Sequence, residues 1–272
     1  MSGLITRLIL VLGITMSART WAADLYVDPS GTCADLSPCY RTINAAIHAA
    51  STGSPDTINL FVATYDELVV IDRPLVLKKS PIGNPPGNAR PRIAPSDHSA
   101  DAVAIYRGSG PVVIEGLEID AVVDIEKTWG ASAIAIYGAS GNELRNVTIA
   151  HNILHVSGSA HLAGIAVDQA RNLAVIGNRI AIDNTIRATG VTLSFSSHCL
   201  IAQNTISNGN RAGLISIADA YGTANSIVGN NLAGPVALEY SEKESVTANV
   251  GIPVENPYPG VIWLGNSPRN KN

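Results

Sequence analysis

The chain has 272 residues, enough for one or two domains with a full core, and a formal net charge of -4. That charge supplies no basic field, so nucleic acid is not an expected partner. Aromatics make up only 5% and charged residues 15%, a profile that suits a wound β structure filled by aliphatic stacks.

Residues 1–22 read as an export signal. Arg7 gives the positive start, Leu8 to Met16 the apolar run, and Thr20-Trp-Ala22 a small-residue cleavage site. The run is too short to span a bilayer, so a secreted or periplasmic monomer with no membrane segment after signal removal is expected. In such a compartment Cys33 and Cys39 are expected to form a disulfide, and Cys199 is left as a buried thiol.

Residues 23–54 form an expected N-terminal cap. Between Tyr40 and Ser51, Ile43, Ala46, Ile47 and Ala50 fall at helical spacing, with Thr42 or Ser37 as N-cap and Gly53 and Pro55 beyond the end. Such a helix would cover the open end of a stack. Strands are expected at Thr57–Val62, Leu68–Ile71 and Leu75–Leu77.

From there to residue 250 one pattern returns. Gly164-Ile165-Ala-Val167 precedes Val175-Ile-Gly-Asn178-Arg-Ile180, Gly190-Val191-Thr-Leu193 precedes Ile201-Ala-Gln-Asn204-Thr-Ile206, and Gly213-Leu214-Ile-Ser-Ile217 precedes Ile227-Val-Gly-Asn230-Asn-Leu232. A fixed period of this size marks stacked coils. Two apolar anchors recur five residues apart: 114 and 119, 144 and 149, 175 and 180, 201 and 206, 227 and 232. Side chains of one straight strand share a face only at even spacing, so a corner must fall between the anchors. It is expected at Gly116, Asn146, Gly177-Asn178, Gln203-Asn204 and Gly229-Asn230, with the asparagines stacked in a ladder. Residues 251–272 are expected to be a C-terminal cap and tail, Val261 to Leu264 covering the last coil.

The Ala- and Ile-rich helix, the Ala63-Thr64-Tyr65 turn between strands and the asparagine-cornered repeats resemble secreted right-handed parallel β-helix proteins of the pectin-lyase-like group. The resemblance implies an all-β, right-handed parallel β-helix of about seven coils over residues 55–250, and a polysaccharide ligand. It also brings calcium as a cofactor of the group. No Asn-Thr-Asp, Asp-Asp and Gly-His-Gly set and no Arg-x-Pro-x-x-Arg occurs, so no specific enzyme family is matched.

Stacking turns distant residues into columns. The outward position of the first strand holds Ala104, Ala135, Ala166, Thr192 and Ala237, a floor of small side chains. A polar column follows: Tyr106, Tyr137, Asp168, Ser194, Asp219 and Glu239. Before the strand stand Lys127, Trp129, His161, Arg187 and Arg211. Extra residues are expected within Asp120–Ala131 and Ala150–Ala160, and enlarged loops on one face of a solenoid often carry its binding surface.

Three readings follow. In polysaccharide chemistry, Tyr106, Tyr137, Trp129, Asp124 and Arg211 bind sugar, and Lys127, His161, Arg187 and Asp168 carry catalysis; elimination from an acidic glycan is preferred over hydrolysis by Asp124, Asp168 and Asp183. In the second, His151, His155 and His161 bind a metal. The third is a non-catalytic envelope, adhesion or matrix protein.

Overall fold

The computed structural model describes residues 22–83, 87–106, 110–124, 130–159, 161–184, 187–209, 214–251 and 262–267. The expected signal, Lys127, Trp129 and Arg211 lie outside the described residues, as does the side chain of Arg187. No helix among the described residues is long and apolar enough to cross a membrane.

Every named strand pair is parallel, and the strands stack into three long sheets, giving a parallel β-helix. Sheet A has eleven strands, including Val147–Ala150, Ala174–Ile176 and Leu200–Ala202. Sheet B has seven, among them Glu118–Val123, Ile153–Gly158 and Arg179–Asn184. Sheet C also has seven, among them Val103–Tyr106, Gly130–Tyr137, His161–Asp168, Arg187–Ser194 and Leu214–Ala220. The chain passes from C to A to B and back to C in each coil.

The core is aliphatic throughout. Val175, Ile201 and Ile227 stack in one column and Ile180, Ile206 and Leu232 in the next, all essentially inaccessible. At about 25 cal/mol per Å² of apolar surface, this continuous stack is the main stabilising term.

The helix forms at Ile43–Ala49 because Thr42 caps it, its hydroxyl accepting the Ala45 N–H at 3.2 Å. The Glu67 carboxylate accepts the next free N–H groups, of Ile43 at 2.6 Å and Asn44 at 3.1 Å. Ile43, Ala46 and Ile47 face inward and cover the stack end. Cys33 and Cys39 are joined, and Cys199 is a free, buried thiol pushed up to about 12 by burial.

Between sheets A and B the asparagines form the expected ladder. The Asn178 side-chain oxygen accepts the Asn152 N–H at 2.9 Å and its amide group at 3.1 Å, while the Asn178 amide group donates to Ile149 O and Asn204 Oδ1. Asn204, Asn230 and Asn249 repeat the pattern, and Asn266 receives its last bonds. Successive rungs lie 35, 26, 26, 26, 19 and 17 residues apart, starting from the Leu117 N–H. Ile262–Leu264 adds a further sheet A strand beside Ser245–Thr247.

Three register details differ from expectation. Ile149 pairs with Ile114 and Val175, so that coil's corner is His151-Asn152, not Asn146. Leu144 instead joins a two-stranded side sheet with Ala170. The second lengthening therefore falls at residues 138–143, not 150–160. Finally, Asp219 pairs with Leu193 and points inward, and Ala220 continues the column of Ser194. Ser216 stands where the other coils have Gly164 and Gly190, so the Gly213-Leu214 pair gave a false match.

Candidate binding groove

Sheet C is bent along its length. In His161–Asp168 the burial pattern places Gly164 and Ile165 inward in succession, which a flat strand cannot do. Gly164 is required there: a Cβ would lie 2.4 Å from Ile180 and 2.6 Å from the Gly190 carbonyl. The bend folds the outer face of sheet C into an open groove of ≈ 630 Å³. Its floor is Ser132, Ala163, Thr189 and Ile215 on one leg, with Thr192 beyond the bend.

Asp101 organises one rim. Its carboxylate accepts the Ser132 N–H at 2.6 Å and the Tyr137 hydroxyl at 2.5 Å. Burial, then the hydrogen bond and charge of Asp101, raise the Tyr137 phenol well above its usual range, so it stays protonated. Tyr106 stacks on Tyr137 with ring centroids 5.4 Å apart. Asp168 sits beside Tyr137 in register and is raised by burial alone. His161 is exposed on the opposite rim, in register with Gly130 and Arg187.

The expected catalytic group is thus only partly assembled. His161 and Arg187 are neighbours, but Asp168 lies at the far end of the same strand as His161. Seven residues of extended chain separate them, a contour of roughly 23 Å. Asp124 follows the end of Glu118–Val123, its N–H reaching the His98 carbonyl, and does not line the groove. Asp183 lies on sheet B, away from Asp168. The carboxylates expected for hydrolysis, Asp124, Asp168 and Asp183, are therefore not brought together in the groove.

The three histidines do not converge: His151 is at the corner, His155 on sheet B and His161 on sheet C. The described donors that do meet are Glu118, Asp120 and His155, within 4.8 Å of one another on sheet B. The Arg92 guanidinium already donates to Asp120 through Nε at 2.6 Å and through a terminal nitrogen, and it lies 3.6 Å from Glu118. Calcium takes six to eight oxygen ligands; two guanidinium-neutralised carboxylates and an imidazole do not fit it.

Sequence reasoning missed Asp101, which belongs to no motif and acts through a partner in the next coil. It also missed a row of stacked rings beside the groove. Phe195 and Tyr221 are 4.8 Å apart and Tyr221 and Tyr240 5.2 Å, their planes nearly parallel. Each occupies the left-handed turn just after its sheet C strand. Their spacing repeats the coil lengths of 26 and 19 residues, a signal the sequence did contain. Under this edge Asp219 and Glu244 form a buried carboxyl pair. Glu244 is pushed up to about 8, by burial first and then by the Asp219 charge. The pair is in the core and faces no groove.

Residues 96–251, more than half the chain, match the family model described as the right-handed beta helix region. No curated protein matches the chain.

Proposed function

From the premise that this chain belongs to the family of right-handed β-helix proteins, we propose that it is an exported monomer whose sheet C groove binds an acidic polysaccharide. One observation carries the reading: a long, open, small-residue floor with a polar aromatic rim. Such a floor admits an extended chain without steric selection, and stacked phenols offer apolar bodies with hydroxyl tips.

The two rims suggest an orientation. Uronate carboxylates would lie toward the His161 and Arg187 side, where Lys127 and Arg211 precede neighbouring strands in sequence. The hydroxyl edge would face Tyr137, Asp101 and Asp168. The net charge of -4 gives a polyanion no general attraction, so the cations of that rim would have to supply it locally.

Binding is the conclusion; turnover is not required by it. Elimination needs a base and a proton donor at one sugar ring, and His161 and Asp168 are too widely spaced along their strand to serve together. The test is a polysaccharide array probed with the wild type and Tyr137→Ala, alongside incubation with pectate, alginate and glycosaminoglycans while following unsaturated-uronate absorbance. Binding of acidic glycans, weakened in Tyr137→Ala, supports the reading, and new absorbance would add lyase activity. An array without signal would overturn it in favour of a structural envelope or matrix role.

A further inference from the structure

The stacked rings beside the groove stop abruptly, and a cavity lies where the next ring would be. Tyr221 covers one face of Phe195. The preceding coil has Gln169 in the equivalent left-handed turn, with φ 54° against 48° at Phe195. That coil supplies no ring. In its place is a hollow of ≈ 270 Å³ lined by Ser140, Gly141, Glu143, Gln169 and Phe195. All the other lining residues come from earlier in the stack, on the side of Phe195 opposite Tyr221. The uncovered face of Phe195 therefore forms one wall.

The opposite wall is the extra segment at residues 138–143. It is pinned by paired backbone bonds, Ala139 N–H to Asn142 O at 3.3 Å and Asn142 N–H to Ala139 O at 2.8 Å. Coils with no such segment turn directly from sheet C into sheet A, so the insertion builds the hollow. Gln169 Oε1 is buried beside it and, among the described residues, has no hydrogen-bond partner. A buried acceptor without a donor is costly.

We propose that this hollow is a subsite for one neutral pyranose ring, which takes the missing place in the stack. The C–H face of the sugar lies on Phe195, at the separation its neighbour ring keeps on the other side. Its hydroxyls donate to the Glu143 carboxylate and, once the Gln169 side chain turns its buried Oε1 toward the hollow, to that oxygen. Every polar partner named is an acceptor, which suits a ring whose polar groups are hydroxyl donors. Glu143, only weakly paired with Arg145 at 3.5 Å, stands against the carboxylate of a uronate and the phosphate of a nucleotide.

The inference rests on the reading that this protein binds glycans. Its position extends that reading: Asp168-Gln169 and Ser194-Phe195 are consecutive, and a shallow depression lined by Tyr137, Asp168, Thr192 and Ser194 joins the two areas. A chain leaving the groove over this rim reaches Phe195 next. An acidic stretch in the groove followed by a neutral residue or branch in the hollow is the substrate pattern implied.

Calorimetric titration with cellohexaose, mannohexaose, chitohexaose and hexagalacturonate separates the two sites. The proteins are the wild type, Phe195→Ala, Phe195→Leu, Glu143→Gln and Ala163→Trp, the last filling the groove floor. Circular dichroism checks that each variant keeps its fold. The expected result is saturable binding of at least one neutral hexasaccharide, weakened tenfold or more by Phe195→Ala and Phe195→Leu and severalfold by Glu143→Gln. Binding of hexagalacturonate alone, lost in Ala163→Trp and unchanged in Phe195→Ala, would overturn this subsite while leaving the groove intact. Neutral binding sensitive to Phe195 and indifferent to Ala163→Trp, with no binding of hexagalacturonate, would uphold the subsite and remove the groove. No binding of any neutral probe, or binding that both Phe195 variants retain, overturns it.

Discussion

Each coil turns three corners, and two of them treat their exposed groups in opposite ways. At the corner between sheets A and B, Asn152, Asn178, Asn204, Asn230 and Asn249 are buried and bonded to one another and to carbonyls. Nothing is left to offer a ligand. At the edge between sheets C and A, Phe195, Tyr221 and Tyr240 also stack, yet 49% to 70% of each remains exposed. Ring stacking uses only faces; it leaves edges, hydroxyls and the final face of the row. Repetition at one corner closes the structure, and repetition at the other opens a surface.

The largest effect should come from breaking the closed corner. Asn204→Ala removes the acceptor of Asn178 and the donor to Val175 O and Asn230 Oδ1. At roughly 1 to 3 kcal/mol for each buried group left unpaired, a loss of about 4 kcal/mol is expected in urea unfolding. Ile206→Ala, at the adjacent fully buried column, should cost about 2 to 5 kcal/mol through its cavity. A near-neutral result for either would contradict the coil register.

Beneath the open edge, the Asp219–Glu244 pair should show itself through pH. Glu244 titrates near 8 in the fold against an ordinary 4.5, so the folded protein holds a proton the unfolded chain releases. Its stabilising share is present below about 4.5 and is lost as pH rises through about 8. Denaturation midpoints should therefore fall between pH 5 and 9, and Glu244→Gln should flatten that slope. An unchanged slope in the variant would place the titration elsewhere. The smallest effect belongs to the edge itself: Tyr221→Ala should cost only about 1 kcal/mol of ring stacking, well under the Asn204→Ala loss.

The same contrast explains what the sequence made legible. Aliphatic anchors five residues apart with Asn, Gln or Gly between them admit one geometry, so the coils and the ladder could be read directly. The reading failed where chemistry imitates the pattern. Leu144 and Ile149 are apolar and five apart, with Asn146 between them at φ 60°, but Leu144 belongs to the side-sheet strand that follows the inserted segment. Gly213-Leu214 mimics Gly190-Val191 because Ser216 takes the corner a glycine holds elsewhere. The groove was half legible. Tyr137 and His161 stood out by residue type and do border it, with Tyr106 stacked behind Tyr137; the floor at Ser132, Ala163 and Thr189 gains its role only from the bend at Gly164.

The central claim is that the bent face of sheet C, not another face of the stack, takes the polysaccharide. Calorimetry with the strongest array ligand should compare Ala163→Trp, which fills the groove floor, with Ala181→Trp on the outer face of sheet B. Binding at least tenfold weaker in Ala163→Trp and unchanged in Ala181→Trp is the predicted result; the reverse pattern, or equal binding by both, would contradict it.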